Sequence, residues 1–180
     1  MKDLNINSAK WVLDPTHSEL TFKVKHLMIS NVKGEFKNFT AVIENEDFTS
    51  GLVKASIETS SVNTNNNERD NHLKSADFFD IEKYPEMTFE STSFLKEDDD
   101  KYQLKGLLTI KGISKEVVLD VEFGGINKDP WENQKAGFSF DGKINRKDWE
   151  LNWNTTLETG GVLVGDEVKI SGEVQFVKQD

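Results

Sequence analysis

The stretch Tyr102-Gln103-Leu104-Lys105-Gly106-Leu107-Leu108-Thr109-Ile110-Lys111-Gly112-Ile113-Ser114-Lys115-Glu116-Val117-Val118-Leu119-Asp120-Val121-Glu122-Phe123 decides the fold of this chain. Tyr102, Leu104, Gly106, Leu108 and Ile110 share one parity, and Val117, Leu119, Val121 and Phe123 share another. A period of two belongs to a strand with one buried face. The link Lys111-Gly112-Ile113-Ser114 is short enough that the two strands must be antiparallel neighbours.

The same alternation extends in both directions. Leu20, Phe22, Val24 and His26 share one face of a first strand, with Thr21, Lys23 and Lys25 on the other. Phe39, Ala41 and Ile43 mark a second, where Gly34 and the Phe36/Phe39 spacing predict a bulge. Val53, Ala55 and Ile57 form a third, and Met87, Phe89 and Ser91 a fourth that ends at the acidic turn Glu97-Asp98-Asp99-Asp100. Phe138, Phe140, Gly142 and Ile144 make a seventh. Val168, Ile170, Gly172, Val174 and Phe176 make the last. Eight antiparallel strands with one polar face each fit either a sandwich or a closed barrel. The barrel is favoured, because eight strands enclose an interior that side chains or one small ligand can fill. Glycines 106, 142 and 172 on the inward parity are expected to leave room inside.

One segment breaks the rhythm. After the polar run Asn63-Thr64-Asn65-Asn66-Asn67, residues Glu68 to Phe79 are predicted helical, with Leu73, Ala76 and Phe79 on one face and Pro85 blocking continuation. A single short helix beside a barrel serves to plug or lid one end.

Composition limits the function classes. With 22 basic and 32 acidic residues the net charge is −10, which argues against a nucleic-acid partner and disfavours electrostatic docking on anionic lipid headgroups, without excluding the handling of lipids one at a time. There is no cysteine, so thiol catalysis, disulfides and thiolate metal sites are excluded. His17, His26 and His72 form no spaced metal motif, so no metal or cofactor is expected. No run reaches transmembrane length, and residues 1–10 carry no apolar signal segment, so a cytoplasmic location is expected, or a periplasmic one if the N-terminus has been trimmed.

The chemistry-bearing residues are few. The chain has two arginines, Arg69 and Arg146, against twenty lysines. An arginine in such a chain belongs where a rigid bidentate donor is needed. Arg69 and His72 could donate to an anionic or carbonyl head group, with Asp70 orienting one of them. Equally, Arg69 and Asp70 could form a buried pair that fixes the helix to the barrel. Arg146 could be an internal charge partner or a strand-end ion pair, and His26 continues an inward parity. Asp14-Pro15-Thr16-His17-Ser18 brings together Asp, His and Ser, but on an extended strand neighbours point to alternate faces, so a catalytic triad has little support. Four tryptophans and twelve phenylalanines serve mainly core and rim packing.

Together, several ordered motifs resemble the YceI-like family of bacterial proteins. They are Arg69-Asp70-x-His72-Leu73, Asp77-Phe78-Phe79-Asp80 and Tyr84-Pro85-x-x-Thr88-Phe89. Supporting matches are Asp14-x-x-His17-Ser18, Gly106-x-Leu108-Thr109-Ile110-x-Gly112, Ile144-Asn145-Arg146-x-Asp148 and Val162-Leu163-Val164-Gly165-Asp166-x-Val168. The resemblance covers residues 11 to 178, leaving 1–10 as an N-terminal extension. It implies an all-β fold: an eight-stranded antiparallel, extended lipocalin-like barrel with one short helix between early strands. Members of that family look like binders of polyisoprenoid or quinone-like lipids, often dimerise, and are often periplasmic.

The resulting expectation is a non-enzymatic carrier that binds or sequesters an amphipathic isoprenoid-type lipid, with a homodimer possible. Arg69, His72, Arg146 and His26 are the candidates for the head group. Phe22, Val24, Ile57, Phe89, Leu108, Ile110, Val121, Phe123, Phe138, Phe140, Ile144 and Ile170 are the candidates to line the tail site. The alternatives are a fatty-acid binder, an enzyme using His17 or His72 as general base on such a lipid, and a barrel filled by its own side chains.

Overall fold

The structure is a computed structural model and describes residues 4, 9–158 and 160–180. Eleven strand segments surround one α-helix among the described residues. They are β1 (Trp11–Leu13), β2 (Glu19–His26), β3 (Ser30–Phe36), β4 (Phe39–Ile43), β5 (Val53–Glu58) and β6 (Val62–Asn63) before the helix. The helix α1 (Asn67–Lys74) precedes β7 (Glu86–Lys96), β8 (Lys101–Ile110), β9 (Ile113–Lys128), β10 (Gln134–Asn145) and β11 (Val164–Lys178).

All pairings are antiparallel, and β11 meets β1 as well as β2, so the sheet closes on itself. Three long strands are each broken once, into β1/β2, β3/β4 and β5/β6. Counted this way, eight strands run up and down in sequence order around a lipocalin-like barrel. At the β8–β9 hairpin, Ile110 pairs with Ile113 around Lys111 (φ 53°) and Gly112 (φ 73°). Two positive φ angles match the right-handed twist of the flanking strands, and glycine adopts one without steric cost.

The parity of the opening stretch holds. Leu104, Ile110, Val117, Leu119 and Val121 are buried, while the intervening Leu107 and Val118 are exposed. The breaks differ from the expectation. No bulge is needed at Gly34; the second strand instead breaks at Lys37-Asn38, beside 3-10 turns at Pro15–His17 and Thr59–Ser61 in its neighbours. Lys37 N–H donates to the Ser61 carbonyl (3.2 Å) and Glu58 N–H to the Asn38 carbonyl (3.0 Å), so the backbone groups freed by the breaks pair with each other.

The inward glycines also behave differently from the expectation. A β-carbon on Gly106 would overlap the Phe89 ring, one on Gly172 the Phe140 ring, and one on Gly34 the Phe22 ring; at Gly142 the Leu119 side chain takes the space. Room vacated by each glycine is filled by a neighbouring side chain laid across it.

The helix is shorter than predicted. Asn66 caps it by accepting from Arg69 N–H (3.0 Å), and it ends at Lys74, because Ser75 turns back to the His72 carbonyl through both its N–H (3.1 Å) and its hydroxyl (2.6 Å). Phe78 and Phe79 then face inward from a turn, and Ala76 is exposed rather than on the apolar face. Of the expected N-terminal extension, residues 1–3 and 5–8 lie outside the described residues. Lys10 already belongs to the barrel wall, donating to Ile43 and accepting from Gln179.

Candidate functional site: the barrel cavity and its mouth

One end of the barrel is packed with rings. Asp47 caps the 3-10 turn Phe48–Ser50 by accepting from Thr49 N–H (3.0 Å), which folds Phe48 inward. Its ring centroid lies 5.2 Å from Trp11, 5.4 Å from Phe123 and 5.0 Å from Phe138, in tilted and edge-on arrangements that aromatic rings prefer. Phe94 and Tyr102 extend the cluster.

Above this plug the barrel is hollow. A cavity of about 530 Å3 runs between the strands toward α1. That volume falls within the range of small-ligand sites. All the apolar residues read from the sequence as tail-lining contribute to its wall except Phe123. Phe123 belongs to the plug, because β9 runs past the end of β8 there and the Phe123 ring meets Phe48 edge-on at 5.4 Å and Phe138 at a tilt at 5.1 Å. The reading of a barrel filled by its own side chains is therefore set aside.

Polar groups gather at the open end, where Arg69, His72, Arg146 and His26 all border the cavity together with Glu68 and Lys25. Their surroundings separate them. Arg146, only 3% exposed, donates Nε–H to the Gly165 carbonyl (2.8 Å) and Nη1–H to the carbonyls of Leu151 and Trp153 (2.9 Å to the latter). Its Nη2 reaches the Val164 carbonyl (3.3 Å) and Asp166 (3.9 Å). Burial pushes the guanidinium pKa down and Asp166 pushes it back up. With its donors taken, Arg146 is a clamp that ties Leu151 and Trp153 to Val164 and Gly165 at the barrel end.

Arg69 is less committed. Nε–H donates to the Thr64 hydroxyl (2.8 Å) and Nη2–H to the Thr64 carbonyl (2.9 Å), so three of its five N–H bonds have no protein acceptor among the described residues. Asp70, 7% exposed, does not pair with Arg69 directly. It accepts from Thr64 N–H (2.8 Å) and the Thr64 hydroxyl (2.6 Å), so the charge pair is relayed through Thr64. His72 Nε2 contacts Asp77 Oδ2 at 2.8 Å, and the imidazole stands edge-on between Trp153 (4.6 Å) and Phe78 (5.1 Å). His26 ends β2 and pairs with Ser30.

Sequence reasoning missed Thr64, Phe78 and Trp153. Thr64 was hidden in an asparagine-rich loop, though a lone threonine two residues before a helix N-cap is a signal that could have marked it. Phe78 and Trp153 act through a turn and a loop, where periodicity gives no information.

The Asp14–His17 pair does form (3.0 Å), because the 3-10 turn brings His17 back over Asp14 rather than onto the opposite face. Ser18 takes no part, since its hydroxyl donates to the Asp14 carbonyl (2.7 Å) and accepts from Gln175 N–H (3.1 Å). His17 lies in a separate surface groove with Glu122 and Glu173, away from the cavity. Among the described residues no group of three or more His, Asp or Glu side chains converges on a point that would suit a metal ion.

The YceI-like domain family model matches residues 11–176. The chain belongs to the YceI-like family. A UPF0312 protein of Staphylococcus aureus is 43% identical over 171 residues, covering 93% of this chain and 97% of that protein. Among solved structures, the YceI protein of Campylobacter jejuni is 39% identical with a TM-score of 0.74 over 100% of both chains. BcnA of Burkholderia cenocepacia superposes with a TM-score of 0.78 at 23% identity, covering 91% of this chain and 98% of its own. A polyisoprenoid-binding domain from Saccharophagus degradans superposes with a TM-score of 0.75 at 15% identity, covering 95% and 99%. The last two likenesses show the YceI-like fold and nothing finer.

Proposed function

We propose that this YceI-like protein is a non-catalytic binder that carries or sequesters one amphipathic lipid of isoprenoid type. The observation that carries the reading is the cavity itself: about 530 Å3, walled by aromatic and aliphatic side chains, plugged at one end by rings and edged by Arg69 at the other. Apolar burial would hold the tail at about 25 cal/mol per Å2 removed from water. The Arg69 N–H groups that have no acceptor among the described residues, with His72 and His26 also at the mouth, would orient a carbonyl or anionic head. Arg146 contributes by holding the rim. The Saccharophagus domain of the same fold is named for polyisoprenoid binding, which makes that lipid class the first to try.

Native mass spectrometry of protein purified from its own host tests this, with an added hydrophobic mass of several hundred daltons expected. A clean apo mass, with no uptake of long-chain isoprenoids or fatty acids, would sink the proposal. The mass also separates an isoprenoid from a fatty acid. Among the described residues bordering the cavity, the His72–Asp77 contact of 2.8 Å is the arrangement that would favour an enzyme. Time-dependent loss of an added isoprenyl diphosphate, abolished in His72→Ala, would replace the carrier reading.

A further inference from the structure

The β2–β3 hairpin tip presents three consecutive apolar residues to water: Leu27 is 39% exposed, Met28 59% and Ile29 82%. Leu27 and Met28 hold φ angles of 53° and 61°. That conformation favours glycine or asparagine at a hairpin tip, so turn formation does not explain the apolar choice. The tip is joined to the cavity mouth. Leu27 N–H donates to the Leu163 carbonyl (2.9 Å), and the Met28 sulfur lies over Gly161. Val162, 37% exposed, widens the patch, while Leu163, Val164 and His26 line the cavity immediately behind it.

Charge along the β2–β3 hairpin itself runs against the rest of the chain. From Leu20 to Gly34 there is no acidic residue, and Lys23, Lys25 and Lys33 flank the apolar tip within a molecule of net charge −10. Asp166, close by on β11, is engaged by Lys147 at 3.4 Å. Exposed Glu158, next to Leu157 whose N–H donates to the Gly161 carbonyl (3.1 Å), and Glu68 at the mouth are acids on the same side, so the lysines offset nearby negative charge and the apolar tip drives the insertion. An apolar wedge with lysines behind it matches the layering of a phospholipid surface, acyl chains beneath phosphates.

We propose that the Leu27–Ile29 tip inserts into a phospholipid bilayer surface and seats the cavity mouth on it, so that the lipid of the preceding proposal passes between bilayer and barrel without crossing water. The insertion stands on the tip alone; the passage of lipid rests on the carrier reading.

The chain has no cysteine, so Met28→Cys carrying an environment-sensitive fluorophore gives a single reporter. With vesicles of phosphatidylcholine and phosphatidylglycerol and no isoprenoid added, the emission is expected to shift to the blue. Ile29→Asp is expected to weaken vesicle binding at least about tenfold, the cost of losing one buried aliphatic side chain. Ile29→Asp protein should still bind a polyprenol presented in detergent micelles as wild type does. Trp131→Asp, at an equally exposed position (79%) on the β9–β10 hairpin at the plugged end, should leave vesicle binding unchanged. Unshifted emission, or an Ile29→Asp variant that binds vesicles as wild type does, overturns the docking proposal. Absence of polyprenol binding by wild type in micelles would overturn the carrier reading instead, with the fluorescence result standing on its own.

Discussion

Arg69 and Arg146 border the same cavity mouth, yet their hydrogen bonds assign them different work. Arg146 meets four backbone carbonyls while almost wholly buried, so its loss strands the buried Leu151 carbonyl and frees the segment that the other bonds hold. Arg146→Met should lower stability by about 3 kcal/mol or more, read as a fall in the urea midpoint at unchanged m-value. Among the described residues the Arg69 guanidinium makes two bonds, both to Thr64, and leaves three N–H groups without a protein acceptor at the rim of the cavity. Arg69→Ala should therefore stay folded at a cost of about 1–2 kcal/mol, since Asp70 still grips Thr64. It should lose roughly tenfold of its preference for an isoprenoid with an anionic head over the corresponding hydrocarbon, measured by competition binding. An unchanged preference would confine Arg69 to anchoring the helix. The sequence made both arginines conspicuous by their rarity but could not separate them, because the difference lies in carbonyls supplied by a distant loop.

At the scale of elements, the strands were legible because one buried face imposes a period of two, whereas the breaks in them were not. Lys37-Asn38 and Thr59–Ser61 are tied to one another, and Pro15–His17 is held by residues far along the chain, as Asp14 shows. This carboxylate accepts from Lys135 Nζ on β10 (2.8 Å) and from Thr16, and contacts His17. The Lys135 bond is the main cause that holds its pKa well below the ordinary carboxylate value, with partial burial opposing it and Thr16 and His17 helping. A carboxylate depressed in the folded state adds stability that is fully present above its unfolded value of about 4 and is lost as pH falls below it. Asp14→Asn should cost about 2 kcal/mol at neutral pH, and little once the wild-type carboxylate is protonated. Thermal melts from pH 7 down to pH 2 should show the two proteins converging at the acid end. Parallel curves would mean that the Lys135 contact contributes nothing to the fold. The overlong helix has a similar origin: Phe79 satisfied the helical spacing, but Ser75 offered the backbone a turn that Leu73 and Lys74 carbonyls then completed.

For the whole molecule, parity identifies which side chains face inward without saying whether they meet at the axis. Hollow and filled barrels share one sequence pattern, and the outcome depends on where rings such as Phe89 and Phe140 lie across the wall. Here they lie along it, over the glycines, and the axis stays open. Ala41 and Ala55, paired across β4 and β5, keep one side of the cavity wide. Ala55→Phe places a ring in that space. Bound lipid at a hundredfold excess over its Kd stabilises the folded state by about 2.7 kcal/mol, a rise in Tm of roughly 5–10 °C for a chain of this size. In Ala55→Phe that rise should shrink to near zero, while the lipid-free protein loses no more than the roughly 1–3 kcal/mol that overpacking can cost, or gains stability as the void fills. Val118→Phe, on the outward face of β9, places a ring outside the barrel and should keep the full ligand-induced rise. If both variants respond to lipid alike, the ligand does not occupy the barrel. If only the outward variant responds, the tail lies between β4, β5 and the rings that cover the glycines.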